Sequence, residues 1–240
     1  MALYKIYSVV NEKDIFTKIS SEKKIIKHPT IGHFSIINTS EYIYCECVDS
    51  VEMPFSSRET KIFGNIEINI LFARYKSPYC IVALYGAGLF AIGSKIKRYI
   101  NESLLGFLKI YINKEYNIDL EIQSLFYENK YFGDEFWGDN VTSKLGYNSF
   151  SKMYIKLSSA DLNKILKANP ILEDYFSGGS IKSIRGKMPD LIYTKDDKNY
   201  SGDFKFQRDG LFKCEFFDII FFNMFLRKLI DRGFKVKNVG

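Results

Sequence analysis

GKMPDLIYTKDDKNYSGDFKFQRDG, residues 186–210, decides how the C-terminal part of this 240-residue chain is read. Two strand-like runs, Asp190 to Thr194 and Tyr200 to Phe206, flank the polar connection Lys195-Asp196-Asp197-Lys198-Asn199, as in a hairpin. Strand side chains alternate, so Asp203 and Lys205 share one face, Gln207 continues it, and Phe204 and Phe206 enter the opposite, apolar face. Pairing of the two strands would bring Asp190 near Asp203 at one end of the sheet. Two carboxylates in oxygen-rich surroundings suit Mg²⁺ (or Mn²⁺), a hard ion that keeps waters and accepts a substrate phosphate as a further ligand.

Phosphodiester hydrolysis needs an activated water and relief of the negative charge that builds on the phosphorus oxygens. A metal held by Asp190 and Asp203 supplies both. Lys205 is placed to orient or deprotonate the water and to stabilise the transition state, with Gln207 and Arg208 to position the water or the flanking backbone. Acid-x-Lys alone carries no information, because it occurs five times: Glu22-Lys24, Glu59-Lys61, Glu128-Lys130, Asp196-Lys198 and Asp203-Lys205. Pro-Asp occurs once, 13 positions before the only acid-x-Lys set among alternating apolar residues. The plain structural alternative is that Asp190 caps a turn after Pro189 while Asp203 and Lys205 form an exposed charge pair.

Around this stretch, helix signals at Ser158 to Lys167 and Pro170 to Phe176 precede strand signals at Ser180 to Arg185, Asp190 to Thr194 and Tyr200 to Phe206. Leu211 to Arg232 then reads as one long buried helix ending at Gly233, with Phe234 to Val236 as a closing strand. The motif and this order resemble the PD-(D/E)xK nuclease superfamily, which includes restriction endonucleases and repair or recombination nucleases. The resemblance covers about the last 80 residues. It implies that Asp190 and Asp203 match the family's two acids and Lys205 its lysine, and that a helix glutamate joins the metal site. Glu173 is the nearest candidate for that glutamate and Glu102 a more distant one. Restriction or other defence against foreign DNA is implied by the family alone.

Charge points the same way. The chain carries 34 Lys+Arg against 28 Asp+Glu, a net +6, and residues 180–240 hold 13 of the cations against 8 acids, so about +5 falls there. Lys182, Arg185, Lys187, Arg208 and Lys213 are the candidate phosphate contacts, since clustered cations gain affinity by releasing condensed counterions. A solvated basic face with no partner is the competing reading.

The N-terminal part reads as strand-rich, with Leu3 to Val10, Gly32 to Ile37, Glu41 to Val48, Ile66 to Ala73 and Cys80 to Tyr85 as strands and Ser94 to Glu115 as a helix. Residues 127–150, including YFGDEFWGDN, read as an aromatic and acidic loop. Gly86-Ala-Gly-Leu-Phe-Ala91 formally fits a dinucleotide-binding glycine pattern, but a tight turn explains it as well. Cys45, Cys47, Cys80 and Cys214 read as buried thiols rather than a disulfide framework. No apolar run approaches the ~18 residues of a membrane helix, and Phe216 to Leu226 is interrupted by Asp218 and Asn223. No secretory pattern opens the chain, which leads to the expectation of a cytoplasmic protein with no membrane partner.

The expectation is therefore an α+β or α/β protein. Residues 1–150 form a strand-rich substrate or specificity module with one long helix. Residues 151–240 form a restriction-endonuclease-like core in the order helix-strand-strand-strand-helix-strand. The expected function is metal-dependent hydrolysis of nucleic acid, DNA being favoured over RNA, with a homodimer compatible. The alternatives are a non-catalytic nucleic-acid- or protein-binding protein and, from the glycine pattern, a nucleotide-binding sensor.

Overall fold

The computed structural model describes residues 2–10, 15–29, 32–39, 41–47, 51–56, 61–86, 104–126, 142–146, 153–156, 180–195, 198–207, 209–215 and 218–236. Over 51–66, 142–146, 153–156 and most of 180–202 that description is of the backbone. The chain divides into two compact units, Met1–Gln123 and Ser124–Gly240.

In the first unit, strands β1 (Ala2–Val10), β2 (Lys24–His28), β3 (Gly32–Asn38), β4 (Tyr42–Cys47), β5 (Val51–Ser56), β6 (Lys61–Tyr75) and β7 (Ser77–Tyr85) are joined by a short helix α1 (Ile15–Lys18). Helix α2 (Gly106–Tyr116) and strand β8 (Glu121–Ser124) follow. The sheet order is β1-β7-β6-β4-β3-β2, with β5 also paired to β6 and β8 to β1. β7 is apolar at nearly every position because it has a strand on each side and is buried throughout its second half. β6 and β7 form a hairpin whose turn residue, Lys76, takes φ 58°, a left-handed conformation that a non-glycine residue enters at some cost. Leu108 and Ile112 of α2 are buried, and Phe107 meets His28 of β2 edge-on at 4.5 Å between ring centroids. The Lys24 ammonium of β2 pairs with the Glu115 carboxylate of α2. That hydrogen bond holds the lysine above its ordinary pKa.

The second unit contains β9 (Thr142–Gly146), β10 (Met153–Lys156), β11 (Ser180–Lys195), β12 (Lys198–Gln207), β13 (Leu211–Cys214) and helix α3 (Ile219–Asp231). Its strands lie in the order β10-β9-β11-β12-β13, every neighbour antiparallel. Phe204, Phe206, Phe212 and Cys214 are buried. They meet the buried stripe of α3: Phe212 lies 5.5 Å from Phe222 and 6.2 Å from Phe225, and Phe204 lies 5.3 Å from Phe225. The Asp218 carboxylate caps α3 by accepting from the backbone N–H groups of Ile220 at 2.8 Å and Phe221 at 3.0 Å. Gly233, at φ 92°, ends it, and Phe234 N–H turns back to the Leu229 carbonyl. Asp218→Ala is expected to cost about 0.5–2 kcal/mol, read as a lower urea midpoint with an unchanged slope.

This architecture corrects the expected fold class. The described residues are strand-dominated and antiparallel, with three helices, not an α+β or α/β restriction-endonuclease-like core running helix-strand-strand-strand-helix-strand. Three local features account for the difference. Within the supposed loop 127–150, Thr142–Gly146 is strand β9, which lies between β10 and β11 and so continues the sheet beyond the β11–β12 hairpin. Ser180 to Arg185 and Asp190 to Thr194 are one irregular strand, β11, rather than two. The long helix expected from Leu211 is split, because Gly210 at φ 79° turns the chain into β13 and Asp218 starts α3 only afterwards. Phe234 forms an isolated bridge, not a closing strand. The helix signals at 158–176 and the aromatic loop at 127–140 lie outside the described residues. Among the described residues no helix is long and apolar enough to cross a membrane.

Candidate nucleic-acid interface

The register of the second sheet determines what shares a face. Across β11 and β12, Ser183 lies opposite Gln207, Arg185 opposite Lys205 and Lys187 opposite Asp203. Lys205 lies opposite Lys213 of β13 on its other side. Directly opposed residues in an antiparallel pair share a face, so Arg185, Lys205 and Lys213 form one row, with Asp203 and Gln207 on either side of its centre. Arg185 and Asp203 are exposed, and Lys205, Gln207 and Lys213 are half-buried. The alternate positions Gly186, Phe204, Phe206, Phe212 and Cys214 are buried. The sheet is thus amphipathic: one side is packed, and the other is polar and basic.

Like charges directly opposite one another cost roughly 0.2–1 kcal/mol per pair. Three aligned cations therefore oppose folding slightly, and Asp203, diagonal to Arg185 and Lys213, offsets part of that. Such a row is well suited to an anion with several charges.

Asp190 lies where the ladder between β11 and β12 is irregular. The ladder is regular from Ser183 to Met188, whose partner is Gly202, and resumes at Tyr193, whose partner is Tyr200. β11 takes five steps over a length that β12 covers in two. Pro189 explains where the break begins, because it has no N–H to give to the ladder. Asp190 is therefore not the partner of Asp203; Lys187 is. Its backbone is bracketed between the rungs of Gly202 and Tyr200, roughly 3–10 Å along the strand axis from the rung of Asp203 at ~3.3 Å per residue. A regular strand would fix Asp190 to one face, and a bulged one frees it from that alternation.

The remaining expected residues divide as follows. Lys182 is the extra residue of a second bulge, where Ile181 pairs Leu145 and Ser183 pairs Lys144. Lys187 sits opposite Asp203, one rung from the cation row. Glu173, Glu102 and Arg208 lie outside the described residues. Among the described residues no three His, Cys, Asp or Glu side chains converge on one point. The expected donors, Asp190, Asp203 and Glu173, are all carboxylates, whose hard oxygens are the type Mg²⁺ takes.

Elsewhere, the four cysteines are buried and none is joined in a disulfide. Burial pushes the Cys45 thiol up to about 12, and raises Cys80 and Cys214 well above the ordinary thiol value, so these are packing groups rather than nucleophiles. The glycine pattern from Gly86 follows β7, which has antiparallel neighbours on both sides, unlike the parallel strand-helix-strand unit a dinucleotide site uses. Residues 87–91 themselves lie outside the described residues. No family model matches the chain, and a search of curated proteins finds no match either.

Proposed function

We propose that the second unit is a metal-dependent phosphodiesterase that grips nucleic acid, DNA before RNA, through its polar sheet face. One observation carries this: the only acid-x-Lys set in strand alternation, Asp203-Phe204-Lys205, stands in a basic row beside the strand that carries Pro189-Asp190. Arg185 and Lys213 flank Lys205 and hold the phosphates on either side of the scissile bond. Lys205 faces the phosphate whose charge rises in the transition state, and donates to its oxygen or orients the attacking water. Asp190 and Asp203 are the carboxylates that would hold a Mg²⁺ or Mn²⁺ ion, and such an ion supplies a water of lowered pKa and a Lewis acid for the phosphoryl oxygen. Gln207, one pleat along from Lys205, fixes the water or the neighbouring backbone.

Incubation of the purified chain with plasmid is the test. Cleavage with Mg²⁺ or Mn²⁺, none with EDTA, and a fall of about 10²–10⁴-fold in Lys205→Ala are expected. Cleavage that persists in EDTA removes the metal-dependent reading, and no cleavage with any divalent ion removes the enzyme reading.

A second reading, non-catalytic binding of nucleic acid on the same face, is favoured by one specific feature. Asp203 stands opposite Lys187, where a cross-strand ion pair would occupy the carboxylate that a metal needs. Binding in EDTA without cleavage under any metal identifies this case.

A further inference from the structure

The basic row does not end at the hairpin. Arg185 of β11 is opposite Thr142 of β9, and Thr142 is opposite Lys156 of β10. The register therefore extends the row over all the strands of this sheet: Lys156, Thr142, Arg185, Lys205, Lys213. One rung along, Tyr154, Lys144, Ser183 and Gln207 form a second row on the same face. The intervening positions, Ile155, Ser143, Ile184 and Phe206, belong to the other face, so β9 and β10 continue the amphipathic pattern set by β11 and β12. Asp203 is the only acid at these register positions on the basic side, against Lys144, Lys156, Arg185, Lys187, Lys205 and Lys213.

We infer that β9 and β10 carry a second part of the binding track, with Lys144 and Lys156 as phosphate contacts outside the hairpin. The occupant is a nucleic-acid duplex held by its backbone. The inference rests on the proposal above that this face takes nucleic acid. Four inter-strand spacings of ~4.8 Å make the long row about 19 Å. At ~3.4 Å of rise per nucleotide along one strand, that length matches five or six phosphates. Proteins that hold unpaired strands provide aromatic platforms on which bases stack. Tyr154, on the strand at the end of the sheet, is the one aromatic at these register positions, so the face is built for phosphates and not for bases. Position Thr142, between Arg185 and Lys156, leaves a neutral gap in the row, where a hydroxyl-bearing residue suits a backbone contact without charge.

Titration of a labelled 20-base-pair duplex in EDTA, by fluorescence anisotropy over 50–300 mM salt, separates the possibilities. For the full wild-type chain log K falls linearly with log salt. In Lys144→Gln/Lys156→Gln the slope is expected to flatten by about 1.8, at ~0.9 for each phosphate that is no longer neutralised. Lys144→Arg/Lys156→Arg keeps the wild-type slope, and both variants are first matched to wild type in thermal unfolding. If the Gln pair fails to match, Lys156→Gln alone is read, with a flattening of about 0.9. A wild-type slope in the Gln variant overturns the inference while leaving nucleic-acid binding in place; Lys156, on the edge strand β10, then serves only to block sheet pairing. Equal or tighter binding of the single strand overturns the duplex assignment. No binding of either nucleic acid, or binding of anionic phospholipid vesicles in their place, overturns both this inference and the proposed function.

Discussion

Phe212→Ala is expected to remove about 3–5 kcal/mol from the stability of the second unit, the range found when a fully buried phenylalanine is truncated. Phe212 has no exposed surface and sits at the middle of a ring cluster. Its centroid lies 4.5 Å from Phe206, 5.5 Å from Phe222, 5.7 Å from Phe234 and 6.0 Å from Phe204. These rings come from β12, from α3 and from the turn after α3, so one side chain links the sheet to its helix. Truncation leaves a cavity that the surrounding rings, fixed by one another, cannot close. Domains of this size hold only ~5–15 kcal/mol in total. The loss should therefore appear as a fall of roughly 10–20 °C in melting temperature, at about 4 °C per kcal/mol for a unit of this size. Met224→Ala, on the 53% exposed side of the same helix, is the control, and is expected to stay within ~0.5 kcal/mol of wild type. Equal losses in the two variants would mean that α3 does not pack on β12 and β13.

The parts of this fold that were legible in the sequence are those where one period dominates a long enough run. Tyr200 to Phe206 alternates cleanly, and β12 follows it, because one side of that strand is packed and the other wet. Leu3 to Val10 and Cys80 to Tyr85 contain β-branched and aromatic residues in short runs, and both are strands. The run LFKCEFFDIIFF fits a strand or a buried helix equally, since it is apolar at almost every spacing. Its division depends on two single residues, Gly210 for the turn and Asp218 for the cap. The Asp209-Gly210 pair is a hairpin signal that would have located β13, and Gly210 N–H indeed closes the turn on the Gln207 carbonyl at 2.9 Å. β9 and β10, of five and four residues, are too short for alternation to stand out among the glycines and aromatics around them.

The candidate site was legible in a corresponding way. Which residues of β12 share a face follows from alternation alone, so Asp203, Lys205 and Gln207 needed no register. What lies opposite them did. A hairpin closed symmetrically on Lys195 to Asn199 would carry regular pairing up to Asp190, and Pro189 prevents that by interrupting the ladder. Lys187 takes the position opposite Asp203 instead. Lys144 and Lys156 had no local signal as site residues, since a lone lysine becomes part of a basic row only once its strand has neighbours.

That opposition makes Asp203→Asn the most informative single change, because binding and cleavage should move in opposite directions. Asp203 is the one acid at the register positions of the basic face. A unit charge ~7 Å from a bound phosphate repels it by about 0.5 kcal/mol at the dielectric of water, and by more where the sheet excludes solvent. Removing that charge without changing the shape of the side chain should therefore tighten duplex binding by about 2- to 5-fold in EDTA. If Asp203 holds the catalytic ion, the same substitution should lower cleavage by at least about 10²-fold, the scale lost with one preorganised charge-stabilising group. A purely electrostatic surface residue would give the first effect without the second. A residue that only braces Lys187 would give neither, and its loss would appear in thermal unfolding, where a surface ion pair is worth at most ~1 kcal/mol. Anisotropy and plasmid cleavage on one preparation of Asp203→Asn distinguish these outcomes, and weaker binding together with intact cleavage would contradict the assignment of Asp203 to the metal and to the basic face alike.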